Sequence, residues 1–152
     1  MEMQMHHYRR FLIMITLHFI AMYIFMYAMV NAFGNVFNSF NQLYMAALMT
    51  ASMVLIEIPL MWSMYKSKKL NLAIIAVGVL MLIGSWLGIR QQAAIGDRQF
   101  LRSMIPHHGG AILMCHEASI QDQEVKDLCK SIIASQQAEI DQMKAILDRL
   151  KK

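Results

Sequence analysis

The sequence predicts an all-α membrane protein in which three transmembrane helices precede a polar helical hairpin, and two such hairpins pair to make a four-helix bundle. Three observations predict it. Three apolar runs each reach the ~20 residues that a helix needs to cross a bilayer. The chain is 57% hydrophobic and only 16% charged, and its charges gather in the last third. That last third also carries the three- and four-residue apolar spacing of amphipathic helices. A length of 152 residues leaves room for one membrane unit and a small soluble piece, which excludes a large independent core.

Residues 1–10 form a short N-terminus ending in Arg9 and Arg10. The membrane region covers residues 11–89. Phe11 to Phe33 and Leu70 to Ile89 carry no formal charge, and Leu43 to Met64 carries only Glu57. Tyr8, Tyr44, Trp62, Tyr65 and Trp86 fall near the ends of these runs, where amphipathic rings prefer to sit. The first run follows two arginines and ends near Val30-Asn31-Ala32, which resembles a cleavage site, but it is too long for a secretory signal and reads as an uncleaved anchor.

Arg9 and Arg10 flank the first span, and Lys66, Lys68 and Lys69 fill the second connection, while the first connection, Gly34 to Gln42, is uncharged. The positive-inside bias therefore places the N-terminus in the cytoplasm and the C-terminal domain outside. In a bacterium this is a multi-pass protein of the inner membrane with a periplasmic domain. The net charge of +4 sits in clusters beside apolar runs, so it is explained by lipid headgroups and excludes a nucleic-acid role.

The outer domain, residues 97–152, reads as one helix from about Asp97 to Ala118 and another from Glu124 to Leu150, separated by the polar break Ser119 to Gln123. Val125, Leu128, Ile132, Ile140, Met143, Leu147 and Leu150 form one stripe on the second helix. Two helices alone bury such a stripe poorly, so a homodimer or higher oligomer is expected. Gly84 and Gly88 in the third span offer that dimer a close-approach patch.

Methionine is in excess, 16 residues, together with 6 histidines. Met104, His107, His108, Met114 and Cys115 fall within one broad face of the first hairpin helix. Thioether, thiol and imidazole are a soft-to-borderline donor set that suits Cu(I) far better than Mg or Ca. Pro106 and Gly109-Gly110 are expected to distort the helix so that His107 and His108 turn toward one site. The plainer alternative makes the histidines polar residues at a bend and the methionines core.

A longer pattern carries a resemblance. Asp97-x-x-Phe100-Leu101-x-x-Met104-Ile105-Pro106-His107-His108-Gly109-Gly110-Ala111-Ile112-x-Met114 is followed by Ile132-Ile133-x-x-Gln136-Gln137-x-Glu139-Ile140-x-x-Met143. Together they resemble the bacterial family called domain of unknown function 305, over essentially the C-terminal third. The resemblance implies a ferritin-like bundle, often exported, with some members linked to copper. It supports Met104, His107, His108 and Met114, with Met143 from the second helix, as metal ligands. Ferritin-like di-iron enzymes use Glu-x-x-His pairs, which this chain lacks, so no catalytic residue is assigned.

Cys115 and Cys129 each lie seven residues from Asp122, which places them opposite one another in an antiparallel hairpin. Outside the cytoplasm a disulfide would staple a domain with little core of its own. The alternative is that the reduced thiols, with His116 and Met114, hold metal. An oxidoreductase role lacks the Cys-x-x-Cys spacing that tunes such pairs.

In the membrane, Met14, His18, Met22 and Met26 recur every four residues in the first span, as Met45, Met49, Met53, Glu57 and Met61 do in the second. In an antiparallel pair, Met14 matches Met61, His18 matches Glu57, Met22 matches Met53 and Met26 matches Met49, each pair of numbers adding to 75. Glu57 is costly in lipid without a proton or a partner, and His18 is at the level to supply one. The stripes are a track for Cu(I) or else ordinary helix packing. Met1, Met3, Met5, His6 and His7 could add a cytoplasmic contact.

The functional expectation is a membrane-anchored protein, not an enzyme, that binds copper, favouring Cu(I), on the outer face for tolerance or delivery. Its partners are the bilayer and a copper-handling protein. The alternative is an interaction module that assembles with a partner protein without metal.

Overall fold

The computed structural model describes residues 2–150, with side chains from His6 onward. Met1 lies outside them, as do the side chains of Met3 and Met5, so the N-terminal metal contact falls largely outside the described residues. The fold is all-helical: α1 (Glu2–Phe25), α2 (Phe40–Leu60), α3 (Lys68–Arg90), α4 (Asp97–Glu117) and α5 (Gln123–Arg149), with short 3-10 turns at Met26–Met29 and Phe33–Asn35. The chain divides into two compact units, Met1–Phe25 with Asn41–Ala93, and Met26–Phe40 with Ala94–Lys152.

In the first unit, three helical segments, His6–Met29, Phe40–Leu60 and Lys68–Arg90, are long and apolar enough to cross a membrane. At ~1.5 Å per residue each exceeds the ~30 Å hydrocarbon thickness. Leu12, Leu17, Ile56, Leu60, Val77 and Leu80 are exposed, whereas Ala46, Thr50, Ala51, Gly78, Ser85 and Gly88 are buried. Small residues inside and large apolar residues outside is the arrangement of helices solvated by lipid, because small side chains let the backbones approach. The α-helix of the first span stops at Phe25 rather than near Phe33, and the other two spans begin slightly earlier than the sequence boundaries.

One glycine expectation is corrected. Gly88 is turned inward, where an added Cβ would stand 3.2 Å from the Tyr44 ring, while one at Gly84 would meet nothing within 4 Å. Gly88 thus serves packing within the chain rather than between copies.

Polar groups tie the end of this unit that carries the Lys connection. Buried Asn71 donates through Nδ2 to the Tyr65 carbonyl at 2.7 Å and accepts from the Tyr8 hydroxyl at 2.7 Å. The Tyr8 and Phe11 rings pack on Tyr65 at 5.3 and 5.4 Å. The Ser67 hydroxyl caps α3 by accepting from the Leu70 N–H.

In the second unit α4 and α5 form the hairpin, joined by residues 118–122. The Asp122 side chain caps α5, accepting from the Val125 N–H at 3.0 Å. Leu101, Ile105 and Ile112 of α4 bury against Ile140, Met143 and Leu147 of α5, and Met104, Ile133, Ile146 and Leu150 pack around them.

The stripe on α5 is only partly used. Ile140, Met143 and Leu147 are buried, but Val125 and Leu128 are 42% and 58% exposed. The core is finished by a segment that the sequence reading left as a plain connection, because Phe37 also packs on this cluster. The Tyr27 hydroxyl donates to the Phe37 carbonyl, the Phe40 N–H to Gln99 Oε1, and Arg102 to Asn38 Oδ1.

The Gly109-Gly110 expectation is likewise corrected. α4 runs unbroken through Pro106 and both glycines, which are buried. An added Cβ at Gly109 would stand 2.7 Å from Asn31 Oδ1, which already accepts from Asn35 Nδ2, and one at Gly110 would stand 3.4 Å from the Met29 carbonyl. The glycines admit the 29–31 segment rather than loosening the helix. Gly109→Val should therefore cost roughly 1–3 kcal/mol through overpacking, seen as a lower denaturant midpoint. Gly84→Val, in open space, should change little.

Candidate metal centre

The continuity of α4 from Asp97 to Glu117 decides which sequence-predicted ligands can meet. Ten residues separate Met104 from Met114, about 15 Å along the axis at the usual rise, so one ion cannot bind both within a chain. Met114 is 54% exposed and His107 is exposed. His116 is also exposed and pairs with its neighbour Glu117 at 3.1 Å.

Met104 and His108, one turn apart on α4, face Met143 and Glu139, one turn apart on α5. Met143 is buried, Met104 packs on the same cluster, and His108 is buried. His108 Nδ1 is 2.9 Å from the Met104 carbonyl and Nε2 is 2.6 Å from Glu139 Oε2. A carbonyl only accepts, so Nδ1 carries a proton. The short contact at Nε2 is a hydrogen bond between imidazole and carboxylate.

Glu139 was not singled out from sequence, though it stands in the Gln-x-x-Glu-Ile-x-x-Met pattern and repeats on α5 the four-residue offset of Met104 and His108. Glu139→Ala should cost about 1–3 kcal/mol by leaving a buried imidazole nitrogen unpaired. Glu139→Gln, which keeps a hydrogen-bonding group there, should cost less, and chemical denaturation of both checks this.

Cys115 and Cys129 form a disulfide, with Cα atoms 5.2 Å apart, and among the described residues no cysteine is free. The symmetry about Asp122 thus marks a staple, and the thiol-ligand alternative needs its reduction. Among the described residues no three His, Cys, Asp or Glu side chains gather as a metal cluster.

Thioethers do converge in the membrane unit. A groove of about 700 Å³ is lined by His18 and Met22 of α1, Met49, Met53 and Glu57 of α2, and Met61 just beyond α2. Six of the nine track residues thus share one groove. Met14 instead packs on the Phe11, Val54, Ile58 and Tyr65 core. Met26 lies beyond α1, in the first 3-10 turn. Met45 is exposed and is not among the groove's lining.

His18 and Glu57 face the same groove, but the hydrogen bond recorded for the Glu57 carboxylate comes from the Tyr65 hydroxyl, at 3.3 Å. Burial first, and then Glu57, push the Tyr65 hydroxyl up to about 12, so it remains a donor.

Residues 88–147 match the family model described as Domain of unknown function (DUF305). The chain is also 36% identical over 143 residues to an uncharacterized protein of Acanthamoeba polyphaga mimivirus, covering 92% of each. The chain belongs to the DUF305 family. Within this DUF305 protein, the likeness to the viral relative reaches past the hairpin into the membrane spans. No solved structure matches the chain.

Proposed function

We propose that this DUF305 protein is a membrane-anchored binder of a soft metal, with Cu(I) as its cargo for tolerance or delivery, and that it catalyses no covalent reaction. The observation that carries the reading is the pairing of Met104 and His108 with Met143 and Glu139 across the hairpin. Two thioethers and an imidazole suit Cu(I). Taking the ion at His108 Nε2 replaces the hydrogen bond held there with Glu139. His107, exposed one residue away, is a ligand for the ion's arrival rather than for its buried position.

The hairpin sits on the outer side of the membrane, the periplasm in a bacterial cell, where it can hand the ion to a copper-handling partner. The exposed Val125 and Leu128 support its pairing with a second copy into a ferritin-like four-helix bundle.

One observation favours a metal-free interaction module instead: both ring nitrogens of His108 already have protein partners, and Met143 is ordinary core. Titrating the detergent-solubilised full chain with Cu(I), beside the double variant Met104→Leu, Met143→Leu, separates the two. Leucine keeps the packing volume and removes sulfur. Loss of one bound ion per chain with stability nearly unchanged supports the metal reading, while equal binding by both proteins overturns this site.

A further inference from the structure

We infer that the groove between α1 and α2 is a second, intramembrane site for a monovalent soft cation, Cu(I) in the cell, with Glu57 as its counter-charge. It shares its chemistry with the proposed outer site but uses none of the same residues.

Donor type comes first. Met22, Met49, Met53 and Met61 line the groove together with His18. Thioethers are neutral and polarisable, and they bind Cu(I) while leaving hard cations such as Na, Mg and Ca in water. Leucine or isoleucine would face lipid as well, so lipid contact alone does not explain methionine at four positions around one groove.

Charge comes second. A cation held by neutral thioethers and imidazole would keep its full charge among hydrocarbon, which is costly. Glu57 is the only formal charge within α2, and it lines this groove half-buried, beside the exposed Ile56 and Leu60. Carboxylate and Cu(I) together are neutral, so each removes the cost of the other. Tyr65 acts as a positioning residue by donating to Glu57 Oε1 from the end of the unit that carries the Lys connection.

Level comes third. His18 with Glu57 and Met22 with Met53 are matched in depth on the antiparallel helices, and the shared lining shows that these four side chains face one space. Met49 and Met61 stand one turn to either side of the Met53 and Glu57 pair on the α2 side. They give the ion a thioether toward each membrane surface. Met14, Met26 and Met45, the three track residues outside the groove, are not part of the site.

The test uses the full chain in lipid nanodiscs and Ag(I), a redox-inert monovalent soft cation, with bound metal counted after desalting. The unaltered chain should retain two Ag(I). Met104→Leu with Met143→Leu should retain one, and adding Met22→Leu with Met53→Leu should retain none. Glu57→Gln should weaken the intramembrane ion about 10–100-fold, the range usual for loss of a supporting group at a metal, and Tyr65→Phe should weaken it less. Circular dichroism confirms that the leucine variants remain helical. If the outer variants lose nothing while the groove variants lose the ion, the outer site fails and this one stands. Metal retention unchanged by Met22→Leu, Met53→Leu and Glu57→Gln overturns the inference.

Discussion

Replacing Cys115 and Cys129 by serine should lower the stability of the outer unit by about 3 kcal/mol, the stabilisation expected from closing a loop of ~15 residues. Where the buried core lies makes this loss large in effect. Leu101, Ile105, Ile112, Ile140, Met143 and Leu147 lie away from the turn, while Val125 and Leu128 near the turn are exposed. Near the turn the disulfide links the two helices covalently, while the Asp122 cap fixes only the start of α5. Amide exchange in the first two turns of α5 should therefore rise far more than exchange around Ile140. A uniform rise along α5 would mean that the hairpin opens as one body.

Ile140→Ala should cost about 2–5 kcal/mol, the range for truncating a fully buried aliphatic side chain. Ile140 and Ile105 are both 0% exposed, within the buried apolar cluster shared by α4 and α5. The unit is small, so a loss of this size approaches its whole expected stability. Denaturant unfolding followed by far-ultraviolet circular dichroism should show α4 and α5 melting early while the three spans persist. Leu128→Ala, at an exposed position, should change the midpoint little in the monomer. A clear loss there at high protein concentration would report the proposed pairing of copies.

Much of this architecture is legible in the sequence because its signals are strong and local. Long uncharged apolar runs have few alternatives to spanning helices, and the break around Asp122 placed both hairpin helices within about two residues. The matched methionine stripes pointed to one face because an antiparallel helix pair has fixed geometry. What stayed hidden depends on tertiary contact. Residues 26–40 carry no charge and no motif, yet Tyr27, Phe37 and Asn38 bond or pack within the outer unit. Gly109 and Gly110 read as weak helix positions, and only the approach of Met29 and Asn31 reveals their role. The expected ligand set of α4 assumed that Pro106 would bend the helix. The helix instead continues uninterrupted through Pro106, and Met114 is left far from Met104.

Thioether capture of a soft metal is tested most directly by X-ray absorption at the copper edge on the full chain in nanodiscs, loaded with Cu(I) and desalted. Copper should be retained, with sulfur as its main neighbour and nitrogen as the lesser one. Copper lost on desalting, or retained with nitrogen and oxygen neighbours only, would contradict it.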